Sequence, residues 1–395
     1  MLPDSTRLEA LEAATTVIRS LSGGSGSSLS ESFRVQALQA ATKLVRSLEK
    51  PEDGLMKFAY SMAIRTCVQL NAFSMLSKKE STSAGEIAES NGADVILIRR
   101  LLRVLTASDY IAEKGDGLYG PTQWIIHMQN RVTQGMIKFI YDQSMPAIAE
   151  GPKYFKETLY QNPTDPKSGL FQVAFRTDLP TFPWLTKPEN KERWDDANTF
   201  FEGDRGSRPS CVSWFPVREK LLAGRQGNKD PLLVDVAGGR GHDLMEFLGQ
   251  FPDEKGPFFL QDQQPVLDNA TFLSVKAQKR AFDFFKESPV EGARIYFMKF
   301  IMHDYADEEC LQILKNVKAS MSKGYSYLVI NDFILPNTGC PLLPAEWNLM
   351  MLILTSDMER TETQRSTLLH SAGLSVEGMY QPPGDGQGII VAVFE

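Results

Sequence analysis

The chain has only four histidines, and His303 stands directly before Asp304 in the run MKFIMHDYADEEC, residues 298–310. An apolar segment ends just ahead of it. An imidazole in that place can be core filler, a metal ligand, a fold contact or a base. Its ordinary pKa of about 6.5 leaves it neutral and ready to accept a proton at physiological pH. Metal ligation needs a set of donors, and no spacing of His, Cys, Asp and Glu in the chain resembles one. Cys67, Cys211, Cys310 and Cys340 are far apart and form no CxxC pair; they read as reduced thiols in a cytoplasmic protein, and no metal is expected.

A second set of chemistry-bearing residues lies upstream. In LLVDVAGGRGHDLMEFL, 232–248, an apolar strand runs into Gly238-Gly239-Arg240-Gly241 and then into an amphipathic helix. Glycines allow a ligand to approach the backbone, and the helix N-terminus offers free N–H groups. The turn is neither a spaced GxGxxG nor a GK[ST] phosphate loop. The next strand ends in LQDQQPV, which puts Asp262 about 20 residues beyond the turn, where an acid can hold ribose hydroxyls or simply cap a helix. In FDFF, Asp283 beside Phe284 suits an adenine, one accepting from the exocyclic amine and the other stacking on the ring.

These residues need strands to carry them. From 231 onward strand and helix patterns alternate. The strand candidates are PLLVDV (231–236), GPFFLQD (256–262), KRAFDFF (279–285), RIYFMKF (294–300), YSYLVIND (325–332) and GIIVAVF (388–394). Helices between them are expected to begin near Gly241, Pro265, Asp307, Ala345 and Thr363. Nearly continuous apolar strands at this period predict a parallel sheet covered on both faces.

The first part of the chain is different. RLEALEAATTVIRSL (7–21) and RVQALQAATKLVRSL (34–48) agree at nine of fifteen positions, both with helical apolar spacing, across a flexible joint SGGSGSSLSES. Residues 55–75 read as a helix. In 81–122, Ser83 and Glu86 have capping-box spacing, DVILIRRLLRVLTAS is amphipathic, and Asp116-Gly117 tips a hairpin. That is a winged-helix pattern. The apolar second helix (Ile96, Leu97, Leu101, Leu102, Leu105) and a net charge of −7 favour a structural use over nucleic-acid binding, which needs cationic surface. The same charge disfavours an anionic membrane surface, and no apolar run approaches the roughly 18 residues of a membrane span. Residues 124–220 read as mostly helical and rich in aromatics, broken by loops such as YQNPTDPKSG.

The ordered set DVAGGRGH, LQDQQPV, FDFF, MKFIMHDYADEEC, NDFILP and DMERT resembles the class I S-adenosylmethionine-dependent O-methyltransferases of the caffeate/flavonoid type, in their fungal secondary-metabolism branch. The resemblance spans nearly the whole chain. It implies an α/β C-terminal Rossmann-like domain with a mostly parallel, doubly wound sheet, and a mainly helical N-terminal winged-helix and dimerisation domain. The implied boundaries are 1–122 for the helical arms and winged-helix unit, 123–220 for a helical connector lining a substrate chamber, and 221–395 for the cofactor-binding catalytic domain. A homodimer, S-adenosylmethionine as cofactor and a small aromatic or polyketide-type substrate are implied with it.

By position, Asp235, Gly238, Gly239 and Gly241 match the family's turn around the methionine part of the cofactor, Asp262 the ribose acid, and Asp283 and Phe284 the adenine contacts. Lys299 matches a lysine that approaches the same cofactor. His303 matches the catalytic base, Asp304 a neighbour on the substrate side, and Asp332 and Glu359 two acids that orient the histidine and substrate. Where the family usually has Glu, this chain has the shorter Asp332. His242 belongs to cofactor pocket or fold alike, and His370 to the fold. One offshoot of the family keeps the cofactor but performs dehydration and pericyclic reactions, using a histidine from the region of His127. In FFEGDRG, Asp204 and Arg205 stand near a place where methyltransferases carry an apolar residue. His127 and Arg205 are therefore candidate substrate groups, and a pericyclase or dehydratase is the alternative to methyl transfer.

Overall fold

The two near-repeats form the helices Asp4–Ser22 and Glu31–Leu48, which pack on each other. The computed structural model describes residues 4–22, 30–203, 208, 210–225, 227 and 229–395. Most of the Gly/Ser joint, 23–29, lies outside the described residues. The chain divides into two units: one holds everything up to Met145 and a segment beginning at Leu185, and the other holds Pro146–Trp184 and the C-terminal part.

Local chemistry explains the N-terminal unit. The helical stretch expected over 55–75 is broken at Asn71, whose φ of 53° ends the helix Ala59–Gln69 before Ala72–Ser77 begins. The Ser83 hydroxyl accepts from the Glu86 N–H at 3.0 Å while the Glu86 carboxylate accepts from the Ser83 N–H at 2.7 Å, closing a capping box on the helix Ala84–Asn91. Gly92, at φ 61°, ends that helix in the left-handed region that glycine tolerates. Asp94 caps the helix Val95–Ala107, which buries Ile98, Leu101, Leu102 and Leu105. Ile96 and Leu97, expected on the same apolar face, are instead exposed because they fall off that stripe in the first turn. Strand β1 (Thr82–Ser83), β2 (Ala112–Gly115) and β3 (Leu118–Gly120) complete a small sheet in the order β1-β3-β2, with the hairpin turn at Asp116-Gly117.

The C-terminal unit is built on seven strands: β4 (Leu233–Val236), β5 (Phe258–Asp262), β6 (Ala277–Ala281), β7 (Ile295–Lys299), β8 (Tyr327–Asp332), β9 (Ser375–Tyr380) and β10 (Gly388–Val393). Their spatial order is β6-β5-β4-β7-β8-β10-β9. The first five run parallel, and β10 runs antiparallel to both β8 and β9. Apolar clusters lie on both faces, one around Val234, Tyr296, Leu314 and Leu328, the other around Leu233, Phe247, Phe258 and Ile295. Two strand expectations need correction. β6 is AQKRA rather than KRAFDFF, an exposed edge strand that ends before Asp283. β9 was not anticipated, because a half-buried edge strand such as SVEGMY lacks a continuous apolar run. Arg294 ties the entry to β7, donating to the carbonyls of Leu221, Ala223 and Tyr325 at 2.6 Å each.

Leu102 is fully buried on the winged-helix stripe. Leu102→Ala is expected to lower unfolding free energy by about 2–5 kcal/mol in urea titrations, the usual range for a core Leu truncation. A loss well under 1 kcal/mol would contradict a structural use of that helix.

Candidate active site

Parallel strands bring their carboxyl ends to one edge, and the chemistry-bearing residues of the C-terminal unit gather there. The turn after β4 winds through Ala237, Gly239 and Gly241 at φ 56°, 62° and 83°. A non-glycine residue in that region is strained, which is common at ligand sites. A Cβ on Gly238 would come within 2.3–2.6 Å of the Asp235 carboxylate, so only glycine fits, whereas a Cβ on Gly239 would meet nothing within 4 Å. The turn is thus tight on its protein side and open on the other.

Asp262, the last residue of β5, accepts from the Gly239 N–H at 2.8 Å and from the Gln263 N–H at 2.7 Å. Burial pushes its pKa up to about 6, against the pull of those two N–H groups. Asp283 lies just past β6, 2.6 Å from the Lys286 ammonium, which holds it below the usual carboxylate range. Phe284 packs edge-on against Phe285 and Tyr305. Lys299 ends β7 with its ammonium 3.2 Å from Asp243, both side chains buried. His242 leans on the Phe272 ring.

His303 follows in a short 3₁₀ turn, Met302–Asp304, and is 6% exposed. Its Nδ1 is 2.6 Å from Glu359 Oε1, its Nε2 is 3.7 Å from Asp304 Oδ1, and Phe300 stacks on its ring. Burial opposes a charge on the ring, but Glu359, Asp304 and Asp332 outweigh it and push the pKa up to about 10. Asp304 is raised to about 7, chiefly by burial, with the histidine pulling the other way. Asp332 makes no contact with the ring. Its Oδ1 accepts from the Phe300 N–H at 2.9 Å, which fixes the left-handed backbone of Phe300 (φ 56°), the bend between β7 and His303. Its Oδ2 is 2.9 Å from Arg365.

His127 is exposed on the helix Gln123–Met128 of the N-terminal unit. Asp204 and Arg205 lie outside the described residues. His370 is exposed at the end of the helix Glu362–Ser371. No group of His, Cys, Asp and Glu among the described residues could hold a metal ion.

Three residues near the histidine went unread in the sequence. Arg360 donates to the carbonyls of Met302 and Tyr305, on either side of the His303-Asp304 pair, and to Asp307. Asp357 faces Arg360. Arg365 shares its buried helix stripe with Leu368 and Leu369; a cation at an apolar stripe position was the available signal.

The O-methyltransferase domain model matches residues 215–375, and the O-methyltransferase dimerisation domain model matches 53–124. The O-methyltransferase penC of Penicillium thymicola is 32% identical over 351 residues, 87% of each chain. The chain belongs to the O-methyltransferase family. A solved complex of LepI with S-adenosylmethionine superposes on this O-methyltransferase with a TM-score of 0.87 at 26% identity, covering 98% of this chain and 100% of the other. A structure described as a pericyclic reaction enzyme gives 0.88 at 25%, with the same coverage. The enzyme is a methyltransferase and its cofactor is S-adenosylmethionine. The glycine turn, open in front and closed behind by Asp235, and the Asp262 carboxylate at its rim fit such a group. No helix among the described residues is long and apolar enough to cross a membrane.

An ionised Asp262 can accept from hydroxyls, and its pKa stands above the ordinary carboxylate value. Affinity for S-adenosylmethionine, measured by calorimetry, is therefore expected to weaken as pH falls through about 6. Asp262→Asn should bind more weakly at pH 7 and lose this dependence; a wild-type profile in that variant would remove Asp262 from the site.

Proposed function

We propose that this O-methyltransferase methylates a phenolic or enolic hydroxyl of a small aromatic or polyketide-type metabolite, with His303 as general base. The observation that carries the reading is the buried His303–Glu359 pair at 2.6 Å, at the same sheet edge as the glycine turn. Glu359 accepts from Nδ1–H and so leaves Nε2 to take the proton of the acceptor hydroxyl. A phenol has a pKa of about 10, and the carboxylates bring the ring to a comparable proton affinity. A ring of that proton affinity carries its proton at neutral pH, so it serves as base only once that proton has been lost. When bound, S-adenosylmethionine supplies a methyl group on a positively charged sulfur, and that charge disfavours a second cation on His303. The residues fitted to hold it are Asp235, Gly238, Gly239, Gly241, Asp262, Asp283, Phe284 and Lys299. Asp304, whose carboxylate lies 3.7 Å from Nε2, is the candidate acid on the acceptor side.

A second reading is a dehydratase or pericyclase that binds the cofactor without consuming it. It is favoured by the likeness to the pericyclic reaction enzyme and by the raised proton affinity of His303, which suits an acid. His127 and Arg205 are its candidate substrate groups. The four unpaired cysteines agree with a reducing, cytoplasmic setting. A homodimer is supported by the dimerisation domain match and by Leu55, Met56, Phe58 and Met62, apolar side chains at least half exposed within it.

Incubation with S-adenosylmethionine and phenolic or polyketide acceptors should give S-adenosylhomocysteine and a product heavier by one methyl. Product without cofactor turnover would select the second reading. His303→Ala is expected to cost roughly 10²–10⁴ in rate, and near-wild-type turnover would remove the base. Phe58→Glu should shift the sedimentation velocity from dimer to monomer; an unshifted dimer would rule out that patch as the contact.

A further inference from the structure

Glu359 can orient His303 only if something holds Glu359. Its two carboxylate oxygens have different partners: Oε1 meets the ring nitrogen, and Oε2 lies 3.3 Å from Arg365 Nη2. The other terminal nitrogen of Arg365 is 2.9 Å from Asp332 Oδ2. Arg365 is 1% exposed, Asp332 0% and Glu359 2%, so water screens none of these contacts. Asp332 is itself fixed by the Phe300 N–H. We infer that Arg365 is a positioning residue for the proton-accepting site: its guanidinium, held by ion pairing with Asp332, hydrogen-bonds Glu359 and so keeps Glu359 seated on the ring of His303.

This inference rests on the reading of His303 as the base. It also accounts for the short acid at 332. A carboxylate too short to reach the histidine contributes through the guanidinium instead, and the bend at Phe300 and the seat of Glu359 become one connected unit. A guanidinium suits the task because its terminal nitrogens stand apart in a fixed plane and spread one charge over both acids, whereas an ammonium is a single point of charge. Arg360 cannot substitute, since it is occupied by the Met302 and Tyr305 carbonyls and Asp307.

The titratable groups around the ring are Asp304, Asp307, Cys310, Asp332, Asp357 and Glu359, with Arg360 and Arg365 as cations. Two effects of removing Arg365 therefore have opposite sign. If Glu359 stayed in place, losing a nearby cation would raise the proton affinity of His303. If Glu359 loses its seat, the ring loses its strongest partner and the affinity falls.

The test uses the full-length protein with isotopically labelled histidine. With four histidines in the chain, His303→Gln identifies the His303 signal. Arg365→Met is expected to lower the His303 pKa and to reduce kcat about 10–100-fold, part of the roughly 10²–10⁴ that a positioned general base contributes, while binding of S-adenosylhomocysteine stays as in the wild type. A raised or unchanged His303 pKa in folded Arg365→Met would overturn the inference. Should that variant fail to fold, Arg365→Lys carries the test. It keeps the charge but cannot span both acids, so both readouts should fall by less; wild-type values for both would overturn the bridge. Full activity of His303→Ala would sink the base reading alone, because the histidine titration still reports on the bridge.

Discussion

Carboxylates do not gather in a dry interior unless cations and N–H groups hold them there. Around His303 the chain buries Asp332, Asp357 and Glu359 together with two fully enclosed arginines. Neither arginine is an ornament of the surface. Arg360 grips the backbone that carries the histidine, and Arg365 joins two acids behind it. The His303 side of the sheet edge depends on this charge-balanced knot, because four elements meet in it: β7 through Phe300, β8 through Asp332, the helix Asp307–Ser320 through Asp307, and the helix Glu362–Ser371 through Arg365.

The opposite end of the same edge is arranged on another principle. Around the glycine turn the protein contributes backbone and a rim of acids rather than a buried network. Gly238 is small because Asp235 fills the space its side chain would need, and Gly239 opens outward. One half of the edge is a buried network of charges; the other is an open turn that leaves room for a large ligand. That division agrees with a family in which one cofactor serves many acceptors.

Much of this was legible in the residues. The alternation of apolar strands with helices gave the parallel sheet, and the glycine turn, Asp262 and His303 were expected at or just past strand ends, where the structure has them. What escaped has a physical cause. β9 and β6 are edge strands whose exposed faces admit polar residues, so they carry no continuous apolar signal. Ile96 and Leu97 looked buried because periodicity does not say where a stripe meets solvent. Arg360 and Arg365 went unread, since a sequence lists charges without the partners that make burying them tolerable. The redirection of Asp332 from the ring to Arg365 depends on a side-chain length difference of one methylene, resolved only by the packing.

The strand order has a consequence for biosynthesis. β10, the last of these seven strands in sequence, lies between β8 and β9 rather than at the margin. Until Gly388–Val393 is in place, β8 and β9 each lack the neighbour that pairs with them, and both are open to wrong partners. The seven-stranded sheet therefore closes only after its last strand has been synthesised, and chaperone protection would matter most until then.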